Sequence, residues 1–132
     1  MKKLIIFIGI LAICAGIFGY YKYNQPHKVI SESEADFVMT PSDLLQSYET
    51  DEKAADLAYL DKIIKVMGKV RDINMEEKGA SLSLDTGNAM SSIICEFESG
   101  DDLAKIQVGD SVTIKGICTG KLMDIVLVRC SL

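Results

Sequence analysis

Leu4 to Tyr21 reads LIIFIGILAICAGIFGYY, eighteen residues without a charge, set between Lys3 and Lys22. As an α-helix a run of that length spans roughly 27 Å, close to the hydrocarbon thickness of a bilayer. It takes the first 23 residues out of any folded body and predicts one membrane-crossing helix, with residues 4–21 in contact with the lipid bilayer. Tyr20, Tyr21 and Tyr23 lie where that helix would leave the hydrocarbon, an interface that favours amphipathic rings. Charge divides the chain at the same place. Residues 1–28 hold four lysines and no acid, so they carry +4, whereas the ten remaining bases against 19 acids give the rest −9, within a formal total of −5. The positive-inside tendency keeps the basic end cytoplasmic and sends the acidic body across the cytoplasmic membrane, into the periplasm of a Gram-negative cell.

Two processing routes compete with an uncleaved signal anchor over residues 1–23. The small-x-small sequence needed for cleavage occurs only at Ala12-Ile13-Cys14, inside the apolar run, which would leave an apolar stretch on the product. Leu11-Ala12-Ile13-Cys14 places a Leu three residues before a Cys, as in a lipoprotein signal, but Ile13 stands where a small residue is expected. Ala12 with Gly16, and Ala15 with Gly19, have the spacing of helix–helix contacts in membranes, although small residues are common in such helices generally.

Residues 24–39 form a polar tether with Pro26, His27 and the run Ser31-Glu32-Ser33-Glu34. The folded domain is expected over 40–132. Its first helix starts at Thr40-Pro41-Ser42-Asp43, where Thr caps, Pro suits the first helical position and Asp43 meets the positive end of the dipole. Leu44, Leu45 and Tyr48 give it one apolar face. A second start at Thr50-Asp51-Glu52 leads into a stripe of Ala54, Ala55, Leu57 and Ala58, so that one bent or two short helices precede the rest.

After Lys62 the apolar period changes from helical to alternating. A first strand runs from Ile63 to Arg71, with Gly68 marking a bend or bulge. Lys78-Gly79 turns the chain into a second strand around Leu82 and Leu84, and Thr86-Gly87-Asn88 into a third with Ile93, Cys95 and Phe97. Ser99-Gly100-Asp101-Asp102 opens a single helical turn through Leu103 and Ile106. A fourth strand carries Val112, Ile114 and Gly116, and Thr119-Gly120-Lys121 turns into a last strand from Met123 to Cys130. The order strand, strand, strand, short helix, strand, strand is that of the five-stranded OB-fold Greek-key barrel. The fold class is thus mainly β: an OB-fold barrel preceded by one or two short α-helices and the amino-terminal transmembrane helix. A split sandwich is the competing architecture.

Val66-Met67-Gly68-Lys69-Val70, the stretch Val108-Gly109-Asp110-Ser111-Val112-Thr113-Ile114-Lys115-Gly116, and the ending from Ile117-Cys118-Thr119-Gly120 through Asp124 to Cys130 resemble the tRNA-anti-like family of bacterial OB-fold proteins. The Ala-rich segment from Glu52 to Tyr59 resembles it too. The likeness covers residues 40–132, and an N-terminal membrane segment is a common companion in such chains. The VGDxVxIxG piece is shared by OB-folds at large; the Cys118 and Cys130 ending is more distinctive. The family's name records a similarity to anticodon-binding folds and not a demonstrated activity, and the resemblance supplies no catalytic residue.

The residues themselves point away from catalysis. The one histidine, His27, lies in the tether, so no imidazole is available in the domain to activate a nucleophile. Cys95, Cys118 and Cys130 include no closely spaced pair to nucleate a zinc site, and no phosphate-cradling glycine pattern occurs. Asp51-Glu52, Glu76-Glu77 and Asp101-Asp102 lack calcium-loop spacing and read as helix caps and solvated turns. We therefore expect a non-enzymatic protein with no catalytic, cofactor or metal site. OB-folds that hold single-stranded nucleic acid use aromatic platforms in a basic groove. Here the outward set on the second and third strands is Ser81, Ser83, Asp85, Ser91, Ser92, Glu96 and Glu98, with Phe97 of inward parity. That face has the wrong charge for nucleic acid.

A tight reversal at Gly120-Lys121 would place Cys118 opposite Met123, more than about 20 Å along the strand from Cys130 and outside disulfide reach. Cys95 and Cys130, on the third and fifth strands that adjoin in an OB barrel, are the possible disulfide; three buried free thiols are the other reading. The function expected is a membrane-anchored extracytoplasmic OB-fold binding module for a protein, peptide or glycan. A nucleic-acid-binding OB domain and a structural accessory subunit of an envelope complex are the alternatives.

Overall fold

The structure is a computed structural model that describes residues 1–23, 30 and 32–132, with the side chains of residues 2, 4, 5 and 21–23 outside that description. Residues 24–29 and 31 of the expected tether, His27 included, therefore lie outside the described residues. The amino-terminal segment is helix α1, Lys2–Tyr23. Ile6, Phe7, Leu11, Ile13, Ile17 and Phe18 are all more than half exposed, so apolar side chains surround it rather than forming one stripe. Among the described residues no helix is long and apolar enough to cross a membrane.

From residue 36 the chain builds strand β1 (Phe37–Met39), helices α2 (Pro41–Thr50) and α3 (Glu52–Tyr59), strands β2 (Ile63–Met75), β3 (Ala80–Asp85) and β4 (Ser92–Phe97), a 3-10 turn (Asp101–Leu103), and strands β5 (Ser111–Lys121) and β6 (Ile125–Ser131). The sheet order is β1-β2-β3-β4-β6-β5, and β5 pairs back onto β2. Five strands thus close a barrel in the order of an OB-fold, with β4 and β6 parallel and the other barrel pairs antiparallel. The length of β2 makes closure possible. Its first half, Ile63 to Lys69, pairs with β5, and its second half, Val70 to Met75, pairs with β3 across a bulge at Val70/Asp72.

Strand β1 lies within the stretch read from sequence as tether. It pairs in parallel with Ile64, Lys65 and Val66 and covers an edge of β2 that β3 does not reach. Asp36 fixes the junction: its backbone N–H donates to Ile63 O at 2.8 Å and its carboxylate accepts from Ile63 N at 2.9 Å.

Helix α2 begins as its sequence dictates. Thr40 Oγ1 accepts from Asp43 N at 3.2 Å, Pro41 occupies the first turn, and Leu44, Leu45 and Tyr48 are buried. Helix α3 starts where Asp51 Oδ1 accepts from Ala54 N at 3.1 Å. The expected stripe on α3 is a correction. Only Ala55 is buried, and Leu57 is 89% exposed, because the helix meets the barrel through Ala55 and half-buried Asp56 and Tyr59. The helices cover the barrel end at which Ser42 Oγ donates to Thr86 O in the β3–β4 loop. At the other end, near Ala80, Leu103 of the 3-10 turn is 1% exposed and closes the core.

The β5–β6 hairpin is a second correction. Strand β5 continues through Thr119-Gly120-Lys121, and the reversal comes at Leu122-Met123-Asp124. Gly120, with φ +100°, marks an irregularity in the pairing between Cys118 and Lys121 instead of a turn. Cys118 therefore stands opposite Leu127, not Met123.

Candidate functional site: an acidic face on the barrel

The outer face of β2, β3 and β4 is set by alternation. Leu82, Leu84, Ile93 and Cys95 point inward and are completely buried, so their strand neighbours point out. Register places Asn74, Ser81 and Glu96 in one row, Asp72, Ser83 and Ile94 in the next, and Asp85 beside Ser92 in a third. Ser81, Ser83 and Ser92 are half-buried, whereas Asp72, Asp85 and Glu96 are exposed. A shallow cleft of about 230 Å³ opens at one end between Glu76, Lys78, Ser81, Ile94 and Glu96.

Two groups at the other end are held by backbone contacts. Asp124 accepts from Ser92 N at 2.7 Å and Ser92 Oγ at 3.1 Å, which ties the β5–β6 turn to the start of β4. The Arg71 guanidinium donates to Asn88 O at 3.2 Å and Ala89 O at 2.7 Å, so two of its five N–H donors are held by the β3–β4 loop. Ser91, expected on the outward set, turns its carbonyl to accept from Thr86 Oγ1 at 2.6 Å and belongs to that loop.

Phe97 is only 4% exposed and offers no stacking surface. The other aromatic rings of the body pack between β1 and the helices: Phe37 meets Tyr59 edge-on at 5.0 Å, and Tyr59 lies 6.2 Å from Tyr48. The face is therefore hydroxyl-rich and acidic, without an aromatic platform. Sequence reading found its β3 and β4 residues but missed Asp72 and Asn74, because the first strand was expected to stop at Arg71. The alternation of Asp72, Ile73, Asn74 and Met75 was the signal that the strand continues.

A larger open groove of about 530 Å³ lies between α2 and α3, lined by Asp43, Ser47, Thr50, Asp51, Ala58 and Tyr59. It is wide at the mouth and carries acids but no cation, so it shares the electrostatics of the sheet face without its strand scaffold.

The three body cysteines are free and buried, in two groups. Cys118 Sγ lies 3.4 Å from Tyr48 Oη, where α2 meets the barrel. Burial first, then the bond to Cys118 and the nearby Asp56 carboxylate, push the Tyr48 hydroxyl well above its ordinary value. Cys95 lies within hydrogen-bond reach of Cys130, and that bond, together with burial, pushes the Cys95 thiol up. Cys95 and Cys130, the pair expected as a possible disulfide, are both free thiols here. Among the described residues no three His, Cys, Asp or Glu side chains converge as metal ligands.

The profile of the tRNA_anti-like family matches residues 1–132. No curated protein matches the chain. Among solved structures, a crystal structure from Klebsiella pneumoniae subsp. pneumoniae, described as a "putative nucleic acid-binding lipoprotein", is similar with a TM-score of 0.57 at 21% identity. The match covers 81% of this chain and 98% of that one. At that identity the likeness speaks for the fold.

Proposed function

The chain belongs to the tRNA_anti-like family, and from that premise we propose that it is a membrane-anchored, extracytoplasmic, non-enzymatic binding module. Its barrel would present the β2–β3–β4 face to a protein, peptide or glycan. The observation that carries the reading is the composition of that face: three exposed carboxylates among serines and an asparagine, with Lys78 at its cleft end and Arg71 hydrogen-bonded to backbone carbonyls at the other. Hydroxyls and carboxylates suit the N–H and O–H donors of peptides and sugars, whereas a polyphosphate would meet repulsion at close range. The uncharged run of residues 4–21 and the split of +4 and −9 support attachment to the bilayer with the barrel outside the cytoplasm.

Hydrogen–deuterium exchange on the full chain in lipid nanodiscs tests this reading. Protection of residues 72–85 and 92–97 by members of a peptide and glycan panel, but not by single-stranded oligonucleotides, is the expected result. Protection by oligonucleotides alone overturns it. Cleavage of the body by a protease added outside intact cells is expected as well, and full resistance there while lysates are digested would contradict the topology.

Nucleic-acid binding is the second reading, favoured by the family's relation to anticodon-binding folds and by the description of the Klebsiella protein. It requires a basic surface, and the salt dependence of oligonucleotide binding distinguishes it from the first.

A further inference from the structure

We propose that Cys95 and Cys130 form a thiol–disulfide exchange site that, on oxidation, covalently ties β4 to the final strand β6. The pairing itself rests on geometry; only its oxidation in the cell rests on the extracytoplasmic reading above.

Strands β4 and β6 run parallel with Cys95 beside Leu127, so three further residues of regular strand would carry Cys130 about 10 Å away. Arg129 prevents that. It holds φ +53°, a conformation uncommon for a residue with a side chain, within a bulge where β6 advances three residues (Val128 to Ser131) against two on β5 (Ile117 to Lys115), which shortens that path and turns Cys130 inward. Cys130 Sγ then donates at 3.3 Å to the carbonyl of Leu127, the residue that stands beside Cys95 on the neighbouring strand. The inward fold of Cys130 needs space on β5, and Gly116 provides it: a Cβ there would sit 2.6 Å from Cys130 Sγ.

Cys118 is separated from Cys95 by register. It flanks Leu127 from the opposite side to Cys95, two strand spacings away, so their Cα atoms are about 10 Å apart, whereas bridging requires less than about 7 Å. Its sulfur is also engaged by Tyr48 Oη.

Cys130 is 7% exposed and Cys95 is fully buried, which makes Cys130 the point of attack. Its thiolate attacks one sulfur of an external protein or small-molecule disulfide, breaking that bond and releasing the first thiolate. The Cys95 thiol gives its proton to that leaving group, and its sulfur displaces the second thiolate from the mixed disulfide at Cys130. That second thiolate takes up the proton Cys130 had lost. The net change is two protein thiols and one external disulfide converted to one protein disulfide and two external thiols.

The test uses the full chain carrying C14S, purified reduced in detergent micelles and incubated with glutathione disulfide. Acid quench, alkylation after unfolding and peptide mapping follow. The expected product has a mass lower by about 2 Da, a peptide pair joining Cys95 to Cys130, and alkylated Cys118. In C95S the mixed disulfide should persist at Cys130 as a glutathione adduct of about 305 Da, and in C130S neither product should form. A link involving Cys118, or retention of both thiols after prolonged exposure, overturns the pairing. If the variants misfold, the map of the C14S chain decides alone. Acid trapping from cells separates the two claims. Free Cys95 and Cys130 in cells, alongside linkage of the purified protein, refute the extracytoplasmic placement and leave the pair standing; absence of linkage in the purified protein refutes the pair in any compartment.

Discussion

Gly68→Ala isolates the contact that seats the helices on the barrel. Gly68 lies in the half of β2 that pairs with β5, and a Cβ built there falls 2.5 Å from Pro41 Cγ and 3.0 Å from Pro41 Cδ. Ordinary carbon contact would require the first turn of α2 to withdraw by about 1 Å. That turn leads directly into Leu44, Leu45 and Tyr48, all nearly fully buried, so withdrawal loosens the whole helix face. Overpacking of this kind costs about 1–3 kcal/mol, offset by roughly 0.4–1 kcal/mol from the reduced freedom of alanine in the unfolded chain. The net expectation is about 1–2 kcal/mol of destabilisation, which for a domain near 100 residues lowers Tm by roughly 5–15 °C. Circular dichroism melts of the full chain in detergent measure it. A double-mutant cycle with Pro41→Ala gives the decisive comparison, because the penalty of G68A should largely vanish once the proline ring is gone. Unchanged stability in G68A, or an equal loss in both backgrounds, refutes the argument from close approach.

The remaining predictions concern the core, a cap, alkaline pH and the disulfide. Leu127→Ala, at the fully buried position between Cys95 and Cys118, should cost about 2–5 kcal/mol by urea denaturation. Asp51→Ala removes the acceptor for Ala54 N and should cost about 1 kcal/mol, with Asp51→Asn retaining most of it. Because the folded-state pKa of Tyr48 is raised, its contribution is complete below the unfolded value near 10; above that value the unfolded chain releases the proton first and stability falls as pH rises. Tyr48→Phe should flatten that alkaline loss in melts from pH 9 to 11, leaving the part due to Cys95, and an unchanged slope would contradict the assignment. If the Cys95–Cys130 link forms, it closes a loop of about 35 residues, and reductant should lower stability by about 3–4 kcal/mol on the chain-entropy model.

What the sequence made legible follows from how local each signal is. Thr40-Pro41 with Asp43 announces α2 because capping is decided within four residues, and the alternation of Leu82, Leu84, Ile93 and Cys95 announces β3 and β4 because one face of each is buried. Gly120 misled because a positive φ serves a strand irregularity as well as a turn, while the actual reversal at Leu122-Met123-Asp124 has no glycine or proline and is held by the distant Ser92. The stripe on α3 misled for a different reason. Ala54, Leu57 and Ala58 have helical spacing, but the barrel receives the neighbouring side of that helix through Ala55 and Asp56. Of the candidate face, Asp72 and Asn74 were hidden by the bulge at Val70/Asp72, which shifts the period of β2 midway along the strand.

The central claim is that the barrel face of this family member is built for neutral or cationic donors and not for polyanions. Fluorescence anisotropy of labelled single-stranded DNA and RNA, titrated with the full chain in nanodiscs at low salt, tests it most directly. The account predicts no saturable change up to about 100 µM protein, a range in which even non-specific nucleic-acid binders respond. Saturable binding in the micromolar range that weakens steeply with added salt would contradict it.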